Sequence, residues 1–233
     1  MILSAGTVLT GRENLGAGWV EVCDGRVAAL GSGPAPRPAD LDLGEDIIAP
    51  GFVDMHVHGG GGGAFPEATA EAIARSVSLH EQHGTTSMMA SLVSAPPEEL
   101  VRQVRTLADE VESGRLLGIH LEGPWLSPSR CGAHDPAALR VPDPDEIETV
   151  LRAGRGTVRM VTIAPELPAS MDAIRRLVDA GVVVAIGHTD ATYDQARAAS
   201  MRARPWRPIS STRCDRSTTA SPARSPQPSR ILG

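Results

Sequence analysis

The chain opens with short apolar runs and then changes rhythm. Met1–Leu9 and Trp19–Leu30 are rich in Val, Leu and Ala and are separated by Gly-bearing turns. Asp24-Gly25 between apolar runs is a hairpin signal, since both residues tolerate positive φ. Gly31–Pro38 is a Gly/Pro-rich loop. From Ile47 short apolar segments alternate with stretches of helical period. The pattern predicts strands over Phe52–His58, Thr85–Val93, Leu116–Leu121, Val158–Ala164 and Val182–Ile186. It predicts helices over Pro66–His83, Pro97–Val111, Asp143–Ala153 and Ala169–Ala180, and a fifth from near Tyr193. Gly84 suits a C-cap, and Asp143-Pro144-Asp145 a helix start.

Repeated βα units of this length imply an α/β fold with a parallel sheet. Polar, chemically capable residues follow one strand after another, which suits a TIM-like (β/α)8 barrel with its site at the C-terminal strand ends. A Rossmann sheet is the runner-up. It lacks a G-x-G-x-x-G turn with a partner acid; Gly59–Gly63 has the glycines but follows a His-x-His. Five barrel strands are readable, so the barrel is partial. The expected organisation is an N-terminal β-sandwich portion over 1–46, a partial barrel over 47–200, and a tail over 201–233. That tail has no periodicity and by itself reads as disordered.

The sharpest chemical signal is Asp54-Met55-His56-Val57-His58. Strand side chains alternate faces, so Asp54, His56 and His58 share one, and two imidazoles at i and i+2 can grip one metal ion. The glycines that follow would let the backbone turn sharply beside a ligand. In Gly118-Ile119-His120-Leu121-Glu122 the same alternation puts His120 and Glu122 together. Glu122 is a candidate carboxylate ligand, and His120 reads as a supporting or core residue. His188, after a buried Val run, ends a parallel strand where a metal ligand naturally sits. His80 and His83 lie on a helix and at its end and read as non-catalytic. Cys131 has no evident base beside it, which disfavours a thiol nucleophile.

Composition narrows the class. The 233 residues are 41% hydrophobic, enough for a globular core. Three cysteines without a CxxC pair argue against a disulfide framework and fit a reducing, cytoplasmic setting. No signal peptide or membrane-spanning segment is read at Met1-Ile2-Leu3 or beyond. The net charge of -6 is uneven: every one of the 22 basic residues is Arg, and seven of them, against the single acid Asp215, lie from Arg202 onward. The acidic body offers no general nucleic-acid surface, and no nucleic-acid or membrane partner is expected. The basic tail taken alone could be an arm for nucleic acid.

The strings PGFVDMHVHGGGGGAF, HGTTSMMASLVS, GIHLEGPWLSPSRCGAHDP, VTIAPE and GHTDATYDQA occur in this order between Ile47 and Ala199. Together they resemble successive motifs of the N-acetylglucosamine-6-phosphate deacetylases, within the amidohydrolases. HLEGPW with the downstream GAH is the specific part. The resemblance implies that Glu122 and His188 are principal metal ligands, and that His56 and His58 hold a second metal found in some members. One or two divalent ions per subunit (Zn, Fe or Mn) are therefore implied. It implies that His134 contacts the N-acetyl group and polarises its carbonyl, and that Gly132 and Ala133 meet the substrate, a small amino-sugar phosphate. The implied reaction is metal-assisted hydrolysis to glucosamine 6-phosphate and acetate, in a homodimer. Other amidohydrolases, D-aminoacylase-like or dihydroorotase-like, share the His-x-His but commonly use a carboxylated Lys, and this chain has no Lys. A non-catalytic metal-binding or decayed gene product is the reading from a different class.

The chain departs from the pattern after about residue 200. The resemblance calls for a ligand His in an ATHLFNAM motif, an HHREPG-like phosphate-binding pair, and a catalytic Asp at the eighth strand. None is present in this frame. Back-translation of Pro208–Arg224, begun one base earlier, permits THLFNAMRPLHHREPGP, both missing motifs in order. A one-base insertion or deletion near the codons for Ala199–Met201 accounts for this, and a GC-rich gene accounts for the Arg, Ser and Pro of the tail. Resequencing is expected to find that base; an intact frame with supporting homologous tails would end the idea. Five strands cannot close an eight-stranded barrel, so exposed edges and apolar faces should make the chain poorly soluble and inactive. A monodisperse preparation with a cooperative melt and full turnover would refute this.

Overall fold

The computed structural model describes residues 1–203. The expected tail lies, from residue 204, outside the described residues. The first strands are β1 (Ile2–Ala5), β2 (Thr7–Val8), β3 (Gly18–Cys23), β4 (Arg26–Ser32), β5 (Leu41–Asp42) and β6 (Ile47–Ile48). Four of them form a sheet of order β4-β3-β1-β5, and β2 pairs with β6 in parallel. The β3–β4 hairpin turns at Asp24 and Gly25, with φ of 51° and 70°, the double positive φ that such a turn requires. Ile2, Ala5, Val8 and Val20 form the buried face of this small region. The Asp40 carboxylate ties its loop down by accepting from the Ile2 N–H at 2.6 Å.

The second half is built from βα units. Strand β7 (Phe52–Val57) runs into a small hairpin of β8 (Gly59–Gly60) and β9 (Gly63–Ala64) before helix α1 (Ala70–Gln82). Then follow β10 (Thr85–Leu92), α2 (Pro97–Glu112), β11 (Gly118–Glu122), α3 (Pro144–Gly154), β12 (Val158–Ile163), α4 (Ser170–Asp179), β13 (Val183–Ile186) and α5 (Tyr193–Arg202). The sheet order is β13-β12-β11-β10-β7, with all neighbours parallel. Each strand lies beside its predecessor in sequence, with no reversal of order. A doubly wound sheet needs such a reversal; a barrel does not. The fold is part of a TIM-like barrel.

Two layers form the core. Ile119, Leu121, Val161 and Ile163 face outward from the sheet onto Leu100, Val104 and Leu107 of α2, Ile147 and Val150 of α3, and Ile174 and Leu177 of α4. The i, i+3/i+4 spacing on each helix supplies that face. Burying each such Leu or Ile contributes about 1.5–3 kcal/mol. Strand β7 is the exception: Phe52, Val53 and Met55 are each more than half exposed. Among the described residues nothing pairs with its outer edge, the exposed apolar edge that the five-strand count anticipates.

Helix α1 starts later than the periodicity predicts. Phe65–Glu67 form a 3-10 turn, Ala68 turns left-handed at φ 49°, and Thr69 caps α1 by accepting from the Ala72 N–H. The glycine run turns as expected, but what it approaches is α1. A side chain at Gly63 would lie 2.4 Å from the Ala72 carbonyl oxygen.

The barrel-facing layer is polar. His120, fully buried, bonds through Nδ1 to Ser91 Oγ at 2.9 Å and through Nε2 to Thr162 Oγ1 at 2.8 Å. Both ring nitrogens are used within the core. Burial first, and the nearby His56 second, push its pKa down to about 4. Unfolded, it titrates near 6.5. Its neutral form therefore leaves stability intact above pH 6.5, and stability falls as pH drops from there toward 4. The loss approaches roughly 3 kcal/mol. Denaturant titrations of chelator-treated His120→Gln against pH should lack this part of the acid slope; equal slopes in variant and parent would contradict the assignment.

Candidate metal centre

Glu122 is the last residue of β11, the middle strand of the sheet, and is 7% exposed. Four imidazoles reach its carboxylate from three directions. His56 lies on β7 and His58 just beyond it; their Nε2 atoms stand 3.3 and 2.9 Å from Oε2. His188, two residues past β13, places Nε2 2.9 Å from Oε1. His134, in the long loop after β11, places Nε2 3.6 Å from Oε2. All five residues sit at the C-terminal ends of the strands, where a barrel presents its site.

Two groups of metal-capable atoms result, and Glu122 belongs to both: His56, His58 and Glu122, and Glu122, His134 and His188. A tetrahedral ion with bonds of about 2.0–2.1 Å holds its ligand atoms about 3.3 Å apart. The 3.1 Å between the His56 and His58 Nε2 atoms, and their 2.9–3.3 Å distances to Glu122, fit that spacing. The donor set, imidazole plus carboxylate, suits zinc, iron or manganese alike.

The outer hydrogen bonds decide which nitrogen carries a proton. A carbonyl can only accept, so His58 Nδ1–H donates to the Ser91 carbonyl at 3.1 Å and His188 Nδ1–H to the Arg130 carbonyl at 2.9 Å. In the neutral ring each Nε2 then carries the lone pair, the tautomer a ligand needs. His134 is the reverse. The backbone N–H of Ser94 donates to its Nδ1 at 3.1 Å, with Ser94 Oγ at 2.9 Å. Its proton therefore sits on Nε2, and the ring faces the centre as a hydrogen-bond donor.

With no cation between them, His58 holds a second proton on Nε2 and donates it to Glu122, and that proton is the one a cation would displace. The hydrogen bond from His58 comes first among the effects that hold the Glu122 carboxyl far below the usual range, against the opposing cost of burial. The same bond raises His58. Burial lowers His134, keeping it neutral and its Nε2–H available.

The loop after β13 is braced from its neighbours. His188 has φ 49°, unusual for a residue with a side chain. Its carbonyl accepts from Ser127 N–H at 2.9 Å. Arg130 holds Asp190 through two nitrogens at 2.7 and 3.0 Å. Glu166, beyond β12, accepts from the Asp190 N–H at 2.7 Å and from the Thr189 hydroxyl. Burial works against the charge of Glu166, but these hydrogen bonds outweigh it and hold its carboxyl below the usual range. Gly132, at φ 59°, lies against this loop: a Cβ there would stand 3.1 Å from His188 Cε1. Ala133 is exposed beside it.

The fold thus brings together His56, His58, Glu122, His134 and His188, with Gly132 and Ala133 on the rim. Asp54, on the same face by alternation, is in neither group of metal-capable atoms; its carboxylate accepts from the His56 backbone N–H at 3.0 Å. His80 bonds to the Gly59 carbonyl and His83 to that of Leu79, both on or beside α1. Sequence reasoning gave no role to Ser91, Ser94, Arg130 or Glu166. The signal for the first two was a serine within an otherwise apolar stretch, Met88–Ser94. Among the described residues no helix is long and apolar enough to cross a membrane.

The chain is 29% identical over 203 residues to the N-acetylgalactosamine-6-phosphate deacetylase of Escherichia coli O157:H7, covering 85% of this chain and 53% of that protein. It is 30% identical over 194 residues to the N-acetylglucosamine-6-phosphate deacetylase of Bacillus subtilis (strain 168), covering 79% of this chain and 49% of the relative. It spans about half the length of these curated relatives. The solved N-acetyl-D-glucosamine-6-phosphate deacetylase of Mycobacterium smegmatis superposes with a TM-score of 0.85 at 58% identity, over 87% of this chain and 53% of that one. A mutant of that enzyme is known in complex with N-acetyl-D-glucosamine-6-phosphate. The Amidohydrolase family model matches residues 47–205, and the chain belongs to the amidohydrolase family.

Proposed function

We propose that this chain carries the metal-binding part of a deacetylase that hydrolyses N-acetylglucosamine 6-phosphate to glucosamine 6-phosphate and acetate. The observation that supports this best is a carboxylate-centred His cluster beside one neutral imidazole that can only donate. Amide hydrolysis needs both an electrophilic activator and a donor for the oxyanion.

On this reading Glu122 and His188 hold a divalent cation, and His56 and His58 hold a second beside it. Such a cation, when bound, supplies Lewis acidity and makes hydroxide available near neutral pH. His134 Nε2–H donates to the acetamide carbonyl oxygen, and that bond strengthens as negative charge builds there. Ser94 fixes the ring before substrate arrives, so little reorganisation is needed. The Gly132–Ala133 backbone borders the substrate at the exposed rim. The sugar assignment draws on the relatives' names, of which one specifies galactosamine and several glucosamine; the 58% identical neighbour favours glucosamine. Free Cys23 and Cys131 suit a reducing cytoplasm. A homodimer belongs to the same reading.

No carboxylate among the described residues is free at the centre to pass a proton to the leaving amine: Glu122 is enclosed by imidazoles and Asp54 is turned to its own backbone. The chain as encoded should therefore release no acetate. A chain restored to the alternative frame and loaded with zinc, iron or manganese should release it from N-acetylglucosamine 6-phosphate, measured by a coupled acetate assay. In the restored chain His134→Ala should lower kcat by about 10²–10³ with metal content unchanged, the usual cost of losing one oxyanion donor. An inactive restored chain would overturn the substrate assignment and leave the metal centre standing. An undiminished His134→Ala variant would overturn the role of His134.

A further inference from the structure

We infer that Glu166 is a positioning residue for the metal centre, holding the loop after β13 so that His188 presents Nε2 to Glu122. The inference rests on the metal-site reading above.

His188 faces a conformational problem. It stands one residue past Gly187, in a left-handed conformation that is strained for a residue with a side chain. An unbraced loop would relax toward negative φ and swing the imidazole away. Two braces come from the β11 side: Arg130, whose carbonyl accepts from His188 Nδ1 and whose guanidinium grips Asp190, and the Ser127 N–H on the His188 carbonyl. The Arg130–Asp190 pair is largely exposed, with side-chain exposures of 60% and 52%, so solvent screens it and it contributes little.

Glu166 braces from the other side and is better protected. One carboxylate oxygen accepts from the Asp190 backbone N–H at 2.7 Å and the other from the Thr189 hydroxyl. Thr189 Oγ1 in turn accepts from the Ala191 N–H at 2.9 Å. One side chain thus fixes the two residues that follow His188 and, through Thr189, a third. Glu166 lies just past β12, the neighbour of β13 in the sheet, so the clamp is anchored on rigid backbone. Its carboxylate is turned to this loop; Glu166 is outside both groups of metal-capable atoms. Its effect on the centre runs through His188 alone.

The test uses the full chain, cobalt(II) as the metal, and three variants. Supporting groups of this kind typically change metal affinity by about 10–100-fold. Glu166→Ala should weaken cobalt binding by about that factor and alter the visible cobalt spectrum, while far-UV circular dichroism of the metal-free chain stays that of the parent. Glu166→Gln keeps one carbonyl acceptor and should fall between the two. Thr189→Val removes one of the two hydrogen bonds with little change of shape; should Glu166→Ala fail to fold, a weakened site and shifted spectrum in this variant supports the inference. Parent-like affinity and spectrum in Glu166→Ala, or in Thr189→Val where that variant has to stand in, would overturn it. His188→Ala is the control. If it binds cobalt as the parent does, the metal-site reading itself fails; if it loses binding while the Glu166 and Thr189 variants do not, only the role of Glu166 fails.

Discussion

A carboxylate buried at the mouth of a barrel has to be satisfied, and in this chain four histidines converge to do it. Glu122 is 7% exposed and has imidazole nitrogens 2.9 Å from each of its oxygens. An unpaired charge at such a site would cost several kcal/mol or would take up a proton. With His58 as donor it stays ionised instead. The same arrangement is a ready cation site, since replacing a shared proton by a divalent ion keeps every contact and adds charge. Two groups of metal-capable atoms meet at this one carboxylate.

The fold supplies that convergence cheaply. Parallel strands in sequential order bring their C-terminal ends to one rim, so residues from β7, β11 and beyond β13 meet although 132 positions separate His56 from His188. The outward faces of the same strands supply the core against α2, α3 and α4. Alternation along β11 does both jobs within five residues: Ile119 and Leu121 anchor the strand, while His120 ties it to its neighbours and Glu122 holds the site. The outer contacts then sort the histidines by partner type. A carbonyl behind His58 and His188 leaves the lone pair of each neutral ring facing inward; an amide behind His134 leaves a proton facing inward. What each neutral ring presents inward is thus set by the group behind it and not by the residue type.

Much of this was legible in the sequence. The strand positions emerged because each apolar run is short and bounded, and period-two alternation put His56 with His58 and His120 with Glu122. The core reading of His120 holds, because Ser91 and Thr162 take both of its nitrogens. The start of α1 was placed too early: Pro66 looks like a helix start, but Thr69 offers a stronger cap three residues on. Asp54 shares the face of His56 yet bonds to its own strand, a local competition that alternation does not capture. The site partners of Ser94 and Glu166 lie 40 and 24 positions away; the apolar setting of Ser94 is the one local mark, and nothing local marks Glu166. The place of His134 came from resemblance to a family, not from its neighbours in the chain.

Whether Glu122 and the histidines around it form a nitrogen–oxygen metal centre can be read at the metal itself. X-ray absorption at the zinc edge, on the zinc-loaded chain and on Glu122→Gln, tests it most directly. A shell of nitrogen and oxygen at about 2.0–2.1 Å with the outer scattering of imidazole rings is expected, lost or strongly weakened in the variant. A sulfur shell at about 2.3 Å, implicating Cys23 or Cys131, or a spectrum that Glu122→Gln leaves unchanged, would contradict it.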